Sequence, residues 1–224
     1  MIKYVLIDLD GTITDSEEGV TKSIAYALDG FGIHVDDLKT LRKYIGPPIT
    51  WSFADAGLTP EQIRPGIERY RERYNRVGLY EAKVYDGVPE MLKKLREAGK
   101  KLILATSKPI GFATKVMEYF KMDALMDDLC GAGSDTERNT KSAVIDYILE
   151  KHHITDKSEA LMLGDTRFDV EGANLSGLKT MGVLWGFGSR ESLEKEGAAY
   201  IAATPMEAAE KIINLENNHV QLFK

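Results

Sequence analysis

The chain opens on an apolar run, Tyr4-Val5-Leu6-Ile7, that ends abruptly on acids: Asp8-Leu9-Asp10-Gly11-Thr12. The run has the length and β-branched content of a buried strand. Gly11 supplies a tight turn just beyond it. Residues two apart in extended chain project to the same side, so both carboxylates face one small volume. Two like charges held that close are costly unless a cation or a shared proton relieves them. An ordinary turn rich in Asp and Gly accounts for the same residues without any chemistry. The rest of the chain has to decide between the two.

Strand-like and helix-like segments alternate from there on. Val20, Ile24, Leu28 and Phe31 recur at helical spacing over Glu17 to Phe31. Down to about Val77 only helices follow: Asp36 to Tyr44, Ile49 to Ala56, and a longer one opened by Pro60. Strands resume after Asp86-Gly87-Val88-Pro89. The expected order is then helix to Ala98, strand Lys101 to Ala105, helix Pro109 to Phe120, strand Asp128 to Gly131 and helix Asn139 to His153. Strand Ala160 to Leu163, helix Asp169 to Leu175, strands Thr180 to Leu184 and Tyr200 to Ala202, and a helix begun by Pro205 complete it. That rhythm predicts an α/β fold: a doubly wound, Rossmann-like parallel sheet covered by helices on both faces. The helical block, residues 16–81, interrupts the rhythm and predicts a separate lobe over a core of residues 1–15 and 82–224.

Composition narrows the partners. With 43% hydrophobic and 29% charged residues the chain reads as an ordinary globular protein. No apolar run approaches the ~20 residues of a membrane span, and no signal-like start appears. The single cysteine, Cys130, has no internal disulfide partner and reads as core filler, so a reducing, cytoplasmic setting is expected. The net charge of −6, with no basic stripe, speaks against nucleic acid. An anionic small substrate remains compatible if cations gather locally. The four histidines show no metal spacing with the acids. Monomer and homodimer both stay open.

Ligand groups in open α/β sheets collect at the carboxyl ends of the strands. The strand Lys101 to Ala105 runs into Thr106-Ser107-Lys108, which brings two hydroxyls, free backbone N–H groups ahead of a helix, and an ammonium. An N-cap accounts for the hydroxyls equally well. The strand Ala160 to Leu163 runs into Gly164-Asp165-Thr166-Arg167-Phe168-Asp169, with two further acids four apart. Four aspartates at one sheet edge would repel strongly without a metal, and oxygen-only ligands suit Mg²⁺.

Taken together, Asp8-Leu9-Asp10-Gly11-Thr12, a Thr/Ser ending an apolar strand, an isolated Lys141 and Gly-Asp-x-x-x-Asp resemble the haloacid dehalogenase superfamily of aspartate-nucleophile phosphatases. The match runs along nearly the whole chain. The helical insertion resembles the small cap of the phosphoglycolate phosphatase-like branch. Within that branch Asp15-Ser16-Glu17-Glu18-Gly19, Ile45-Gly46-Pro47-Pro48 and Gly133-Ser134-Asp135 look most like the 5′-nucleotidase-like members.

The resemblance implies a set of roles. Asp8 would be the nucleophile and Asp10 the general acid and base. Asp8, the backbone carbonyl of Asp10, and Asp165 would hold Mg²⁺, with Asp169 orienting a neighbouring ligand. Thr106 with the N–H groups of Ser107 and Leu9, and the charge of Lys141, would hold the transferring oxygens. Lys108, flanking that segment, and Arg42, Lys43 and the Gly46-Pro47-Pro48 turn of the cap are candidates for reaching the substrate. The expected activity is hydrolysis of a small phosphate ester, a nucleoside 5′-monophosphate first and phosphoglycolate second. A β-phosphoglucomutase-like mutase and a phosphorylatable receiver-like module are the competing readings. Asp10, the insertion and the chain length speak against the latter.

Overall fold

The computed structural model of the chain describes residues 1–133 and 138–215. Ser134 and Asp135 of the Gly133-Ser134-Asp135 motif lie outside the described residues. The chain runs β1 (Tyr4–Ile7), β2 (Thr14–Asp15), α1 (Glu17–Asp29), a 3₁₀ stretch Leu38–Tyr44, α2 (Ile49–Asp55), α3 (Pro60–Arg73), a π-helical turn Tyr74–Gly78 and β3 (Lys83–Val84). It continues through α4 (Val88–Glu97), β4 (Lys101–Pro109), α5 (Ile110–Tyr119), β5 (Asp128–Ala132), α6 (Lys141–Lys151) and β6 (Ala160–Gly164). The remainder is α7 (Arg167–Leu175), β7 (Lys179–Val183), α8 (Arg190–Glu196), β8 (Tyr200–Ala202) and α9 (Pro205–Asn214).

Six strands form one sheet in the order β5-β4-β1-β6-β7-β8. Every pairing in it is parallel, with Tyr4 opposite both Lys101 and Ala160. The acid-tipped β1 is therefore flanked by the two strands whose ends carry Thr106 and Asp165. Successive residues of a strand face opposite sides. Val5 and Ile7 pack on one side with Met91, Leu92, Leu95 and Ile212 of α4 and α9. Leu6 packs on the other with Val144, Ile145 and Ile148 of α6. Both faces of β1 are fully buried, which is why its sequence is continuously apolar rather than alternating.

The helices of residues 17–78 are inserted between β2 and β3. These two strands pair antiparallel, Thr14 with Val84 and Asp15 with Lys83, where the chain leaves the core and returns. Two residues a side is too short to register as a strand in sequence. The inserted helices have their own apolar interior, Ile24, Leu28, Phe53 and Tyr74, continuous with one face of the sheet. The helix α8 also escapes sequence reading, because Leu193 is its single buried residue and leaves no apolar period to find.

Candidate active site

The first acid, Asp8, directly follows β1, and its N–H donates to the Leu163 carbonyl at 3.0 Å, continuing the sheet ladder. At Gly11 the backbone turns with φ +87°, a region that favours glycine, and the residue lies against the Asp165 carboxylate, where a Cβ would clash. Thr12 donates its hydroxyl to Asp165 Oδ1 at 3.1 Å, so this turn grips the acid that follows β6. Asp165 Oδ2 accepts the Phe187 N–H at 2.8 Å, and the Trp185 indole donates to the Thr12 carbonyl at 2.9 Å. The loop after β7 thus closes behind the acids. Phe187 has no readable signal in the sequence, since a backbone donor leaves no residue-type trace, and the indole of Trp185 finds its acceptor only through the packing of this loop.

Thr166, not Asp165, caps α7. Asp169 completes a capping box by accepting the Thr166 N–H and hydroxyl on Oδ2, both at 2.9 Å. Its other oxygen, Oδ1, lies 2.8 Å from Lys141 Nζ. Lys141, at the first position of α6, also meets Asp8 Oδ1 at 2.8 Å and donates to the Ala105 carbonyl at 2.9 Å. The isolated lysine is therefore a buried ammonium among acids, not a surface residue.

Carboxylate oxygens of Asp8, Asp165 and Asp169 lie within 4.8 Å of one another, and all three residues are buried. Burial pushes the Asp8 carboxyl up to about 6, against the pull of Lys141 and with the push of Asp169. Burial, then Asp169 and Asp8, hold Asp165 well above the usual carboxylate range. Burial disfavours the Lys141 ammonium, but Asp169 and Asp8 outweigh it and keep the group above its ordinary value. One ammonium among three carboxylates leaves an excess of negative charge, and every donor is a hard oxygen. That set fits a divalent cation of the Mg²⁺ type.

The expected cluster of four side-chain carboxylates is three. Asp10 is drawn aside by Lys108, whose Nζ lies 2.8 Å from Oδ1 and 2.6 Å from Oδ2. Lys108 turns inward because the pairing of β4 with β5 shifts register between Thr106 and Pro109, and such irregularities re-aim side chains. Its ammonium sits 5.1 Å from the centre of the Tyr74 ring, brought by the inserted helices. Tyr70 stacks on Tyr74 at 5.0 Å and Phe112 meets it edge-on at 6.1 Å.

These groups line a cavity of about 1000 Å³ between the sheet edge and the helices. Asp8, Asp10, Thr106, Ser107, Lys108, Lys141 and Asp169 form its floor; Ile63, Ile67, Tyr70 and Tyr74 form a wall. Gly46 also lines it and approaches Thr166. The Leu9 side chain is fully buried, so any part it takes is confined to its backbone. Arg42 does not line the cavity: its guanidinium, half exposed, pairs with Glu17 at 3.0 Å. Lys43 likewise turns to Asp55, at 2.7 Å. The cations of this 3₁₀ stretch find acids on neighbouring helices before they reach the site.

A family model for haloacid dehalogenase-like hydrolases matches residues 5–183. The chain is 36% identical to a 5′-nucleotidase of Pseudomonas aeruginosa, over 89% of this chain and 90% of that one. It is 31% identical to the tyrosine-protein kinase PtkA of Mycobacterium tuberculosis, over 94% of this chain and 72% of that one. A solved structure of a predicted phosphatase from Clostridium acetobutylicum is similar with a TM-score of 0.92 at 41% identity, covering 96% of this chain and 99% of that one.

Proposed function

The chain belongs to the haloacid dehalogenase-like hydrolase family and is a phosphatase, and from that premise we propose a Mg²⁺-dependent phosphomonoesterase that works through an aspartyl-phosphate. Residues 16–81 serve as its cap, and residues 1–15 and 82–224 as its core. The observation that carries the reading is the meeting of Asp8, Asp165 and Asp169 with Lys141 beneath the cavity, beside Thr106.

Asp8 attacks phosphorus while the bond to the ester oxygen breaks, and Asp10 gives that oxygen a proton. Asp10 then takes a proton from the water that opens the acyl-phosphate, releasing inorganic phosphate and restoring Asp8. The Thr106 hydroxyl, the Ser107 and Leu9 N–H groups and the Lys141 ammonium hold the transferring oxygens. Asp8, Asp165 and the Asp10 carbonyl would hold Mg²⁺, with Asp169 orienting a neighbouring ligand, and the ion would supply the charge that offsets repulsion between a carboxylate and a phosphate. Lys108 orients Asp10 in the resting site, and an incoming phosphate oxygen competes for the same ammonium, freeing Asp10 for proton transfer.

The substrate class we favour is a nucleoside 5′-monophosphate, with phosphoglycolate second. The name of the Pseudomonas relative and the aromatic wall of Tyr70, Tyr74 and Phe112 support this order, because planar groups stack on such rings. A screen of nucleotides, sugar phosphates, phosphoglycolate and pyrophosphate, with Mg²⁺ and with chelator, tests it. Mg²⁺-dependent phosphate release, greatest from nucleoside monophosphates, is expected. Isomerised sugar phosphate without release would instead make the chain a mutase. Loss of donor without free phosphate would mean an acceptor other than water.

A further inference from the structure

We propose that Asp128, Cys130 and His152 form a second metal site, for a thiophilic divalent ion such as Zn²⁺, on the edge strand β5 and outside the cavity that holds the catalytic acids. Asp128 opens β5 and pairs with Ile103 of β4, three residues before Thr106, while Cys130 pairs with Ala105, and neither residue lines the cavity. His152 caps the C-terminus of α6, the helix whose first residue, Lys141, stands in the active site. The two sites are thus joined by the length of one helix but share no residue.

One donor atom from each of the three side chains lies within 4.8 Å of the others. Asp128 and Cys130 are two apart in a strand and so project to the same side. Asp128 Oδ2 is 2.8 Å from His152 Nε2 and 3.5 Å from Cys130 Sγ. Ligands about 2.0–2.3 Å from a tetrahedral Zn²⁺ stand roughly 3.3–3.6 Å from one another, so these separations need only small adjustment. A carboxylate, an imidazole and a thiol make a mixed donor set with a soft member, unlike the all-oxygen set in the cavity. Cys130 is buried while Asp128 and His152 stay partly open, which leaves a path for entry and a face for water as fourth ligand.

Lys151 holds the place of the ion. Its Nζ lies 2.7 Å from the same Asp128 oxygen and 5.8 Å from the centre of the Tyr147 ring, and its side chain is 42% exposed, so solvent is open to it once an ion displaces it. Cys130 packs with Ile103, Ala105 and Val144 in the apolar layer under α6, so its Sγ joins the group from the buried side. Without metal the Cys130 Sγ–H donates to Asp128 Oδ2 at 3.5 Å, so the thiol carries its proton. Binding releases that proton to solvent as Sγ becomes a thiolate ligand, and displaces the Lys151 ammonium still protonated. The ion would tie the edge strand β5 to the end of α6.

The test uses the full chain, stripped with chelator and returned to saturating Mg²⁺ so that the acid site is filled. Co²⁺ is titrated in and the near-ultraviolet thiolate-to-cobalt charge-transfer band is followed. A band that saturates at one equivalent and is bleached by Zn²⁺ is expected. Cys130→Ser should abolish it, and His152→Gln should weaken binding by about tenfold or more. Lys151→Met should tighten it severalfold, because the competing charge is gone. None of these residues belongs to the catalytic floor, so Mg²⁺-dependent phosphate release should persist in all three variants. A Co²⁺ complex with no thiolate band in the folded wild-type chain overturns the proposal. So does a band that survives Cys130→Ser, or a Lys151→Met variant that binds no tighter.

Discussion

Replacing Lys141 by methionine keeps the length of the side chain and removes its charge. The ammonium faces Asp8 Oδ1 and Asp169 Oδ1, each at 2.8 Å, and donates to the Ala105 carbonyl. Its loss leaves three buried carboxylates with no cation among them. Breaking a buried ion pair from one side costs about 3–5 kcal/mol. For a chain of this size each kcal/mol moves the unfolding midpoint by about 2–4 °C, so Lys141→Met should lower it by roughly 6–20 °C at neutral pH in chelator. The sign of the pH dependence follows from the acids. Asp8 and Asp165 are held above their ordinary values, so the folded chain binds protons more tightly than the unfolded one. Their ionisation therefore costs stability, a penalty absent at pH below about 4 and complete for Asp8 above about 6. Lys141, held above its ordinary value, contributes fully throughout that window. The loss in Lys141→Met should accordingly shrink as pH falls, because the acids then take up protons instead of carrying unpaired charge. Mg²⁺ should restore more stability near pH 7.5 than near about pH 5. Thermal unfolding followed by circular dichroism, with chelator and with Mg²⁺ at both pH values, measures this. A loss under about 2 °C, or an equal loss at both pH values, refutes the reading of a charge-frustrated acid cluster.

Asp8→Asn should reduce phosphate release by several orders of magnitude while the circular dichroism spectrum stays unchanged; substantial residual turnover would sink the covalent route. Tyr74→Leu removes the ring lying 5.1 Å from Lys108 and should lower kcat about 2-fold to 30-fold, the worth of a cation–π contact of 0.5–2 kcal/mol. Tyr74→Phe retains the ring and should stay close to wild type; equal losses in both variants would assign the effect to the hydroxyl instead. Trp185→Phe removes the donor to the Thr12 carbonyl and should weaken Mg²⁺ binding, read as a raised Mg²⁺ midpoint for phosphate release, because Thr12 in turn holds Asp165.

The floor of the cavity is legible in sequence wherever a strand converts spacing into position. The apolar runs of β1, β4 and β6 each end on a polar residue, and parallel neighbours end at one edge, so Asp8, Thr106 and Asp165 must converge once the topology is granted. Asp169 is legible as an acid four residues past Asp165, but the expected helix start at Asp169 is two residues late: α7 begins at Arg167, because Thr166 and Asp169 close a capping box. Lys108 shows where that logic stops. Its residue type is readable, but its inward aim depends on the register shift at the end of β4, which no side-chain pattern records. Arg42 fails for a related reason: a long cation on a helical surface is captured by the nearest acid, here Glu17, and helical spacing does not say which acid that is. The Asp128, Cys130 and His152 group is the extreme case. Each residue alone has a bland explanation, and only the packing of α6 along β5 makes them neighbours. Sequence reading is thus strongest for sites assembled at strand ends, where periodicity does the placing. It is weakest for sites assembled between a helix end and a strand start, where tertiary packing alone sets the distance.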